Sequence, residues 1–148
     1  MFTRSAAKVG AAGVALGTLL AVGAVAPVTA APVRFPVDVV VHTDFSADAS
    51  EFKGNMPGCE TGTVVDGAGG PHFTPSGGAF VGVKEFTCAG GGGGIDVRLN
   101  ARFGELGAMG TWTVIDGWGS LEGVEASGSL VGVYTEIGVD DRYTGSAR

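Results

Sequence analysis

The sequence is poor in the residue types that most often carry catalysis and metal binding. Its 148 residues include two histidines and two cysteines, and the cysteines, Cys59 and Cys88, lie 29 positions apart. Because this spacing with no clustered histidine makes a poor zinc site, we expect neither a metal nor a cofactor. The sequence also lacks the Gly-x-Ser-x-Gly elbow of a serine hydrolase and the Gly-Lys-Ser/Thr of a P-loop.

Positive charge is also scarce. Nine lysines and arginines stand against fifteen acidic residues, which gives a net charge of −6. Proteins that bind nucleic acids or anionic membrane surfaces do so through basic patches, so this balance gives no electrostatic reason to expect either partner.

Helical periodicity is missing after residue 30, where apolar residues show no sustained spacing of i, i+3, i+4 and i+7. The chain has 28 glycines. Each glycine in a helix interior costs about 1 kcal/mol. The fold is therefore expected to be built from strands.

The first 30 residues have the pattern of a secretory signal peptide. Arg4 and Lys8 precede an uncharged apolar stretch at 9–26, and Val28-Thr29-Ala30 fits a small-x-small cleavage site. An uncleaved membrane anchor is the alternative, since about 18 apolar residues nearly span a bilayer. Cleavage after Ala30 predicts a secreted, extracellular protein with one domain at 31–148 and no stable membrane anchor.

Short β-rich runs follow, separated by glycine, proline, aspartate and asparagine. They occupy residues 35–43, 59–66, 79–88, 95–103, 109–116, 126–137 and 139–145. Such spacing is typical of an antiparallel sandwich or barrel, and glycines inside the runs suggest bends that close a barrel. We predict an all-β antiparallel barrel of about seven to eight strands, with loops at 44–58 and 66–78 and a hairpin loop at 90–94.

The run at 95–103 shows the strictest alternation. Its apolar set is Ile95, Val97, Leu99, Ala101 and Phe103, and its polar set is Asp96, Arg98, Asn100 and Arg102. Successive side chains of a strand point to opposite faces. The apolar set is therefore expected to face the barrel interior.

The segment 110–123, GTWTVIDGWGSLEG, contains a Gly-x-Gly-x-x-x-Gly run after a strand-like stretch. A dinucleotide fingerprint has a different spacing and needs a helix directly after the glycines. Residues 120–137 instead return to strand-like alternation. These glycines are therefore interpreted as turn residues.

The even number of cysteines in a chain predicted to be secreted favours a disulfide between Cys59 and Cys88. Closing a loop of this length stabilises a fold by roughly 3–4 kcal/mol in the chain-entropy model. The strands carrying the two cysteines are expected to be neighbours.

The segment GTWTVIDGWGSLEGVEASGSLVG, the later DDRYTG and the upstream FVGVKEFTC together resemble secreted actinobacterial proteins of the allene oxide cyclase barrel-like group. The resemblance covers roughly residues 58–146. This sequence departs from the pattern at Trp118, where a small residue is usual, and at 124–127.

The resemblance implies an eight-stranded, calycin-like barrel related to dirigent proteins. Related plant barrels cyclise an unstable fatty-acid epoxide or guide the coupling of phenolic radicals, and both work largely by shaping an apolar cavity. No functional residue of those proteins maps onto a position of this chain.

Large aromatic residues are the candidate contacts for a ligand or partner. A barrel of about eight strands is either filled by side chains or holds one small ligand. The candidates are Trp112, Trp118, Tyr134 and Tyr143. Trp118, placed by the prediction in a turn near a mouth, has the least reason to be buried. Of the polar residues, His42 is expected at the barrel rim or surface. One of Asp140 and Asp141 is expected to face solvent while the other pairs with a base such as Arg142 or Arg98.

Three functions remain open from the sequence. The favoured hypothesis is a non-catalytic barrel that binds a small apolar ligand or an extracellular partner. The alternatives are a cofactor-free isomerase or cyclase of the allene oxide cyclase type and a fully packed structural or surface-interaction protein. The size of the interior cavity separates the third from the other two. Oligomeric state is left open.

Overall fold

Each strand of the protein pairs with the next strand in the chain, and the last strand closes onto the first. The computed structural model describes residues 32–148, so the predicted signal peptide lies outside the described residues. The sheet is a closed antiparallel barrel in the order β1-β2-β3-β4-β5-β6-β7-β8. The bounds are β1 Phe35–Asp44, β2 Ser50–Gly54, β3 Thr61–Thr74, β4 Gly77–Cys88, β5 Gly93–Gly104, β6 Gly107–Gly119, β7 Ala126–Tyr134 and β8 Gly138–Ala147. The predicted all-β antiparallel barrel is confirmed.

Strand β5 follows its sequence alternation closely. Ile95, Val97, Leu99 and Ala101 are buried, whereas Arg98, Asn100 and Arg102 are exposed. A barrel encloses one face of each strand, and polar side chains enclosed without partners would destabilise it. The predicted orientation of this strand is therefore confirmed.

The two predicted loops were wrong in part. The region 44–58 contains the short strand β2, and most of 66–78 belongs to β3 and β4. Glycine and proline in DGAGGPHF suggested a loop, but β3 accommodates them because its register shifts between Asp66 and Gly69. β2 pairs with residues 61–64 only, so beyond that point β3 pairs with β4 alone. A proline is tolerated at such a strand edge.

One end of the barrel, here called the closed end, is sealed by apolar side chains from its connections. Met56, Cys59 and Leu121 are buried there. The glycine run, predicted as a hairpin loop, forms a 3₁₀ turn at Ala89–Gly91 and then begins β5. The structure of residues 32–148 contains no helix long and apolar enough to span a membrane.

The disulfide between Cys59 and Cys88 lies at the closed end, with its Cα atoms 5.0 Å apart. It joins the β2–β3 connection to the last residue of β4, and Cys88 also pairs in register with Gly62 of β3. The predicted bond between neighbouring strands is confirmed.

Above the closed end, aromatic rings fill the interior. Phe52 and Phe86 have ring centroids 5.3 Å apart, and Phe86 meets Tyr143 edge-on at 5.7 Å. The indole N–H of Trp112 donates to the carbonyl oxygens of Ser129 and Thr144 at 2.9 and 3.2 Å. Gly128 lies opposite Trp112, and a Cβ at Gly128 would collide with the Thr144 backbone. This half of the barrel is a packed core.

Candidate functional site

The other end of the barrel, here called the open end, contains a cavity of about 450 Å³. Its wall includes Phe80, Leu99, Ala101, Phe103, Ala108, Leu130, Tyr134 and Val139. These residues come from strands β4 to β8, so the cavity belongs to the barrel interior rather than to one outer face.

Small residues on the inner face leave this space. Ala108 pairs with Gly132, Ala101 pairs with Gly110, and Gly78 pairs with Phe103. Side chains of this size cannot reach the barrel axis, which large side chains fill in the closed half. The small inward residues of this half, compared with the large ones of the closed half, therefore explain why the cavity lies at the open end.

The lining of the cavity reaches an edge of β3 that β2 does not cover. Because β2 spans only Ser50–Gly54, the upper part of β3 has no partner strand on that side in the described structure. Phe45, Asp66 and Pro71 line the cavity at this gap. The β1–β2 connection therefore contributes to the cavity wall at this edge.

Two charged side chains meet at the cavity wall, where Lys84 is largely buried and Asp66 is 53% exposed. Lys84 and Asp66 are register partners across β3 and β4, and the Lys84 ammonium forms an ion pair with Asp66. The same ammonium lies 4.3 Å from the ring centroid of Phe80. The other large side chains on this inward face of β4, Phe80 and Phe86, are apolar. Asp66 and the Phe80 ring therefore stabilise the Lys84 cation in the barrel wall.

Asp141 is the third charged group of the cavity. Its Oδ1 is buried and has no hydrogen-bond partner in the described residues, and it lies next to Gly132. Burial raises the pKa of Asp141, the positive charge of Lys84 opposes this, and the negative charge of Asp140 adds to it. An apolar surrounding disfavours the ionised carboxylate, so burial moves the titration of this carboxyl group towards higher pH.

Tyr143 lies on the same inner face of β8 as Asp141. Burial raises the pKa of its phenol, and the negative charges of Asp141 and Asp66 raise it further. The phenol is therefore un-ionised at neutral pH. Its ring packs against Phe86 and Trp112 on the closed side of the cavity.

Exposed apolar side chains surround the mouth. Four connections join strands at the open end, and an exposed apolar residue lies in or beside each of them. These residues are Phe45 (69% exposed), Phe73 at the end of β3 (77%), Leu106 (101%) and Ile137 (56%). The Phe73 ring packs edge-on against Phe103 of the cavity wall, with centroids 5.6 Å apart. The apolar wall thus continues from the interior to the rim.

The four predicted contact residues fall in three places. Tyr134 lines the cavity, whereas Trp112 and Tyr143 belong to the packed core beside it. Trp118 lies at the closed end in β6, not in a turn near the mouth, and is 41% exposed. Its indole covers Gly94, where a side chain would collide with the ring. The structure therefore does not bring the four residues together.

The acidic pair has a different arrangement from the predicted one. Asp140 faces outward and pairs with His42, which lies at the barrel surface as expected. Asp141 faces inward, and Arg142 pairs with Asp38, donating from Nε to Oδ1 at 2.8 Å. One member of Asp140–Asp141 does pair with a base, as predicted, but that base is His42 and neither of the named arginines. The two residues do lie on opposite faces, as alternation in a strand requires.

Lys84 and Asp66 were missed as site residues. Lys84 shares its face of β4 with Phe80 and Phe86, and this alternation was a signal for an inward cation. Asp66 had no such signal, because it lies at the boundary between the predicted strand 59–66 and the predicted loop 66–78. Within residues 32–148, no group of three or more histidine, cysteine, aspartate or glutamate residues could hold a metal ion.

Comparisons with protein-family models, with curated proteins and with solved structures found no match to this chain. Functional inference therefore rests on the geometry of the cavity.

Proposed function

We propose that the protein is a secreted barrel that binds a small, largely apolar ligand at its open end. The observation that carries this proposal is a cavity of about 450 Å³ with an apolar wall and a few converging polar groups. Binding sites for small molecules commonly have volumes of about 300–1,000 Å³ and this composition. The same volume argues against a fully packed structural barrel.

The secreted location is part of the proposal. The disulfide between Cys59 and Cys88 supports it, because such bonds persist in oxidising compartments. Membership in the allene oxide cyclase barrel-like group is also a proposal, supported by the closed eight-stranded antiparallel barrel.

Binding of a neutral fluorescent dye such as Nile red tests the proposed ligand site. Ala108→Phe places a ring in the cavity and is expected to weaken dye binding at least tenfold. Met109→Phe is the matched control, because Met109 is the next residue of β6 and is 69% exposed. Equal dye binding by both variants would show that the dye does not occupy the cavity, and absence of binding by the wild type would contradict the proposal.

A cofactor-free isomerase or cyclase of the allene oxide cyclase type is the second candidate, and Asp141 is the observation that favours it. Burial raises the pKa of Asp141, and a carboxyl group with a raised pKa in an apolar cavity is suited to act as a general acid. The test is cyclisation of an unstable fatty-acid epoxide generated in the assay, with wild type compared to Asp141→Asn. A racemic product formed at the uncatalysed rate with wild type would rule out this activity.

A further inference from the structure

The charges of the cavity do not balance. Among the described residues that line it, Lys84 is the one basic residue, and Asp66 and Asp141 are the acidic ones. The Lys84 ammonium is already paired with Asp66. Asp141 feels the charge of Lys84 but has no ion pair of its own among the described residues, so an anionic ligand would meet an additional carboxyl group rather than a free cation.

We propose that the ligand is an organic amine with an apolar body, whose ammonium group donates a hydrogen bond to the carboxylate of Asp141. This inference rests on the proposed ligand-binding function and specifies its ligand class. The cavity supplies an apolar wall for the body through Leu99, Phe103 and Leu130. It supplies one unpartnered carboxyl group for the charged end.

Aromatic rings near Asp141 add a second attraction for a cation. Phe45, Phe73, Phe80, Phe103 and Tyr134 all line the cavity. The face of an aromatic ring attracts ammonium groups within about 6 Å of its centroid. The position of the Lys84 ammonium over Phe80 shows that this wall already accommodates one such contact.

An amine also resolves the unfavourable burial of Asp141. The ionised form of Asp141 is costly in the cavity wall, because Oδ1 is buried next to Gly132 and receives no hydrogen bond from a described residue. A bound ammonium supplies a hydrogen-bond donor and an opposite charge to this carboxyl group. A neutral alcohol supplies only the donor, and a carboxylic acid in its ionised form adds repulsion.

Three probes with one apolar body separate these cases: 2-naphthylmethylamine, 2-naphthalenemethanol and 2-naphthoic acid. Their affinities for the full secreted chain are measured by calorimetry at neutral pH. We expect the amine to bind at least tenfold more tightly than the alcohol and the acid to bind most weakly. Asp141→Asn should weaken amine binding about tenfold and change alcohol binding less than twofold.

Asp140→Asn is the matched control, because it removes the same charge from the neighbouring residue on the outer face, where Asp140 pairs with His42. It should leave the preference for the amine intact. If the alcohol or the acid binds the wild type as tightly as the amine does, the amine proposal is wrong, but the proposed ligand-binding function still stands. Failure of all three probes to bind would overturn both. The wild-type series decides even if Asp141→Asn does not fold.

Discussion

Gly132 and Asp141 face each other across β7 and β8, and Oδ1 of Asp141 occupies the space that a side chain at position 132 would need. The glycine thus makes room for an inward carboxyl group in a cavity wall whose other charged residues are Lys84 and Asp66. The position of the buried acid depends on this pairing.

Gly132→Ala is expected to destabilise the protein by about 1–3 kcal/mol, because the new Cβ overlaps Asp141 Oδ1 and crowds Ala108. Gly104→Ala is the control, since its Cβ would lie 3.5 Å from its nearest neighbour, the Ser76 carbonyl oxygen. Urea unfolding of both variants gives the comparison. In an Asp141→Ala background the cost of Gly132→Ala should fall, and an unchanged cost would contradict the proposed overlap.

Asp141 is expected to make stability depend on pH. Because its pKa is raised in the folded state, the folded protein holds this proton more tightly than the unfolded chain. Its contribution to the free energy of unfolding is therefore complete below the ordinary aspartate value of about 4 and is lost as pH rises through the folded pKa. Asp141→Asn cannot ionise, so its stability relative to wild type should improve from acidic to neutral pH.

Urea melts of wild type and Asp141→Asn between pH 3.5 and 8 measure this difference. Bonds from Arg142 and Ser46 lower the pKa values of Asp38 and Asp44, which act in the opposite direction. They are present in both proteins, so the comparison removes their contribution. A difference that does not vary with pH would show that Asp141 titrates normally.

Leu99 and Arg98 provide a test of which face of β5 lies inside. Leu99 is buried and lines the cavity, so Leu99→Ala should cost about 2 kcal/mol, near the low end for a buried leucine. Arg98 is exposed, and Arg98→Ala should cost well under 1 kcal/mol. Paired denaturant melts give both values. A larger cost for Arg98→Ala would contradict the orientation of the strand.

Removing the disulfide should destabilise the closed end of the barrel. Replacing both Cys59 and Cys88 by serine is expected to cost roughly 3–4 kcal/mol, since the bond closes a long loop in the unfolded chain. Thermal or urea unfolding of the double variant measures the cost. Replacing exposed Ser76 and Ser127 by alanine controls for two simultaneous substitutions, and an equal effect of the two pairs would contradict the role of the bond.

The strands with strict alternation could be read from the sequence, and β5 shows why. Its apolar and polar residues alternate with the two-residue period of a strand. This local pattern matches the alternation of buried and exposed side chains that the barrel imposes. Strand β3 could not be read in the same way. Gly69, Gly70 and Pro71 have the local properties of a loop, and only pairing with β4 holds them in a strand.

The cavity was less accessible to prediction than the fold. Its volume depends on which small residues face each other across β5, β6 and β7, such as Gly132 opposite Ala108. Those pairs are determined by the register between strands, and the periodicity of a single strand does not reveal that register. The inward position of Lys84 was within reach of alternation in β4, but its pairing with Asp66 required the register of β3.

The separation of the packed closed end from the open end has an evolutionary consequence. Changes at Phe45, Phe73, Leu106 or Ile137 alter the mouth while leaving the disulfide and the aromatic core untouched. Because exposed positions contribute little to folding stability, such changes are tolerated more readily than substitutions in the core. A barrel built in this way can change the shape and polarity of its mouth through substitutions at the rim, before any change reaches the residues that make it fold.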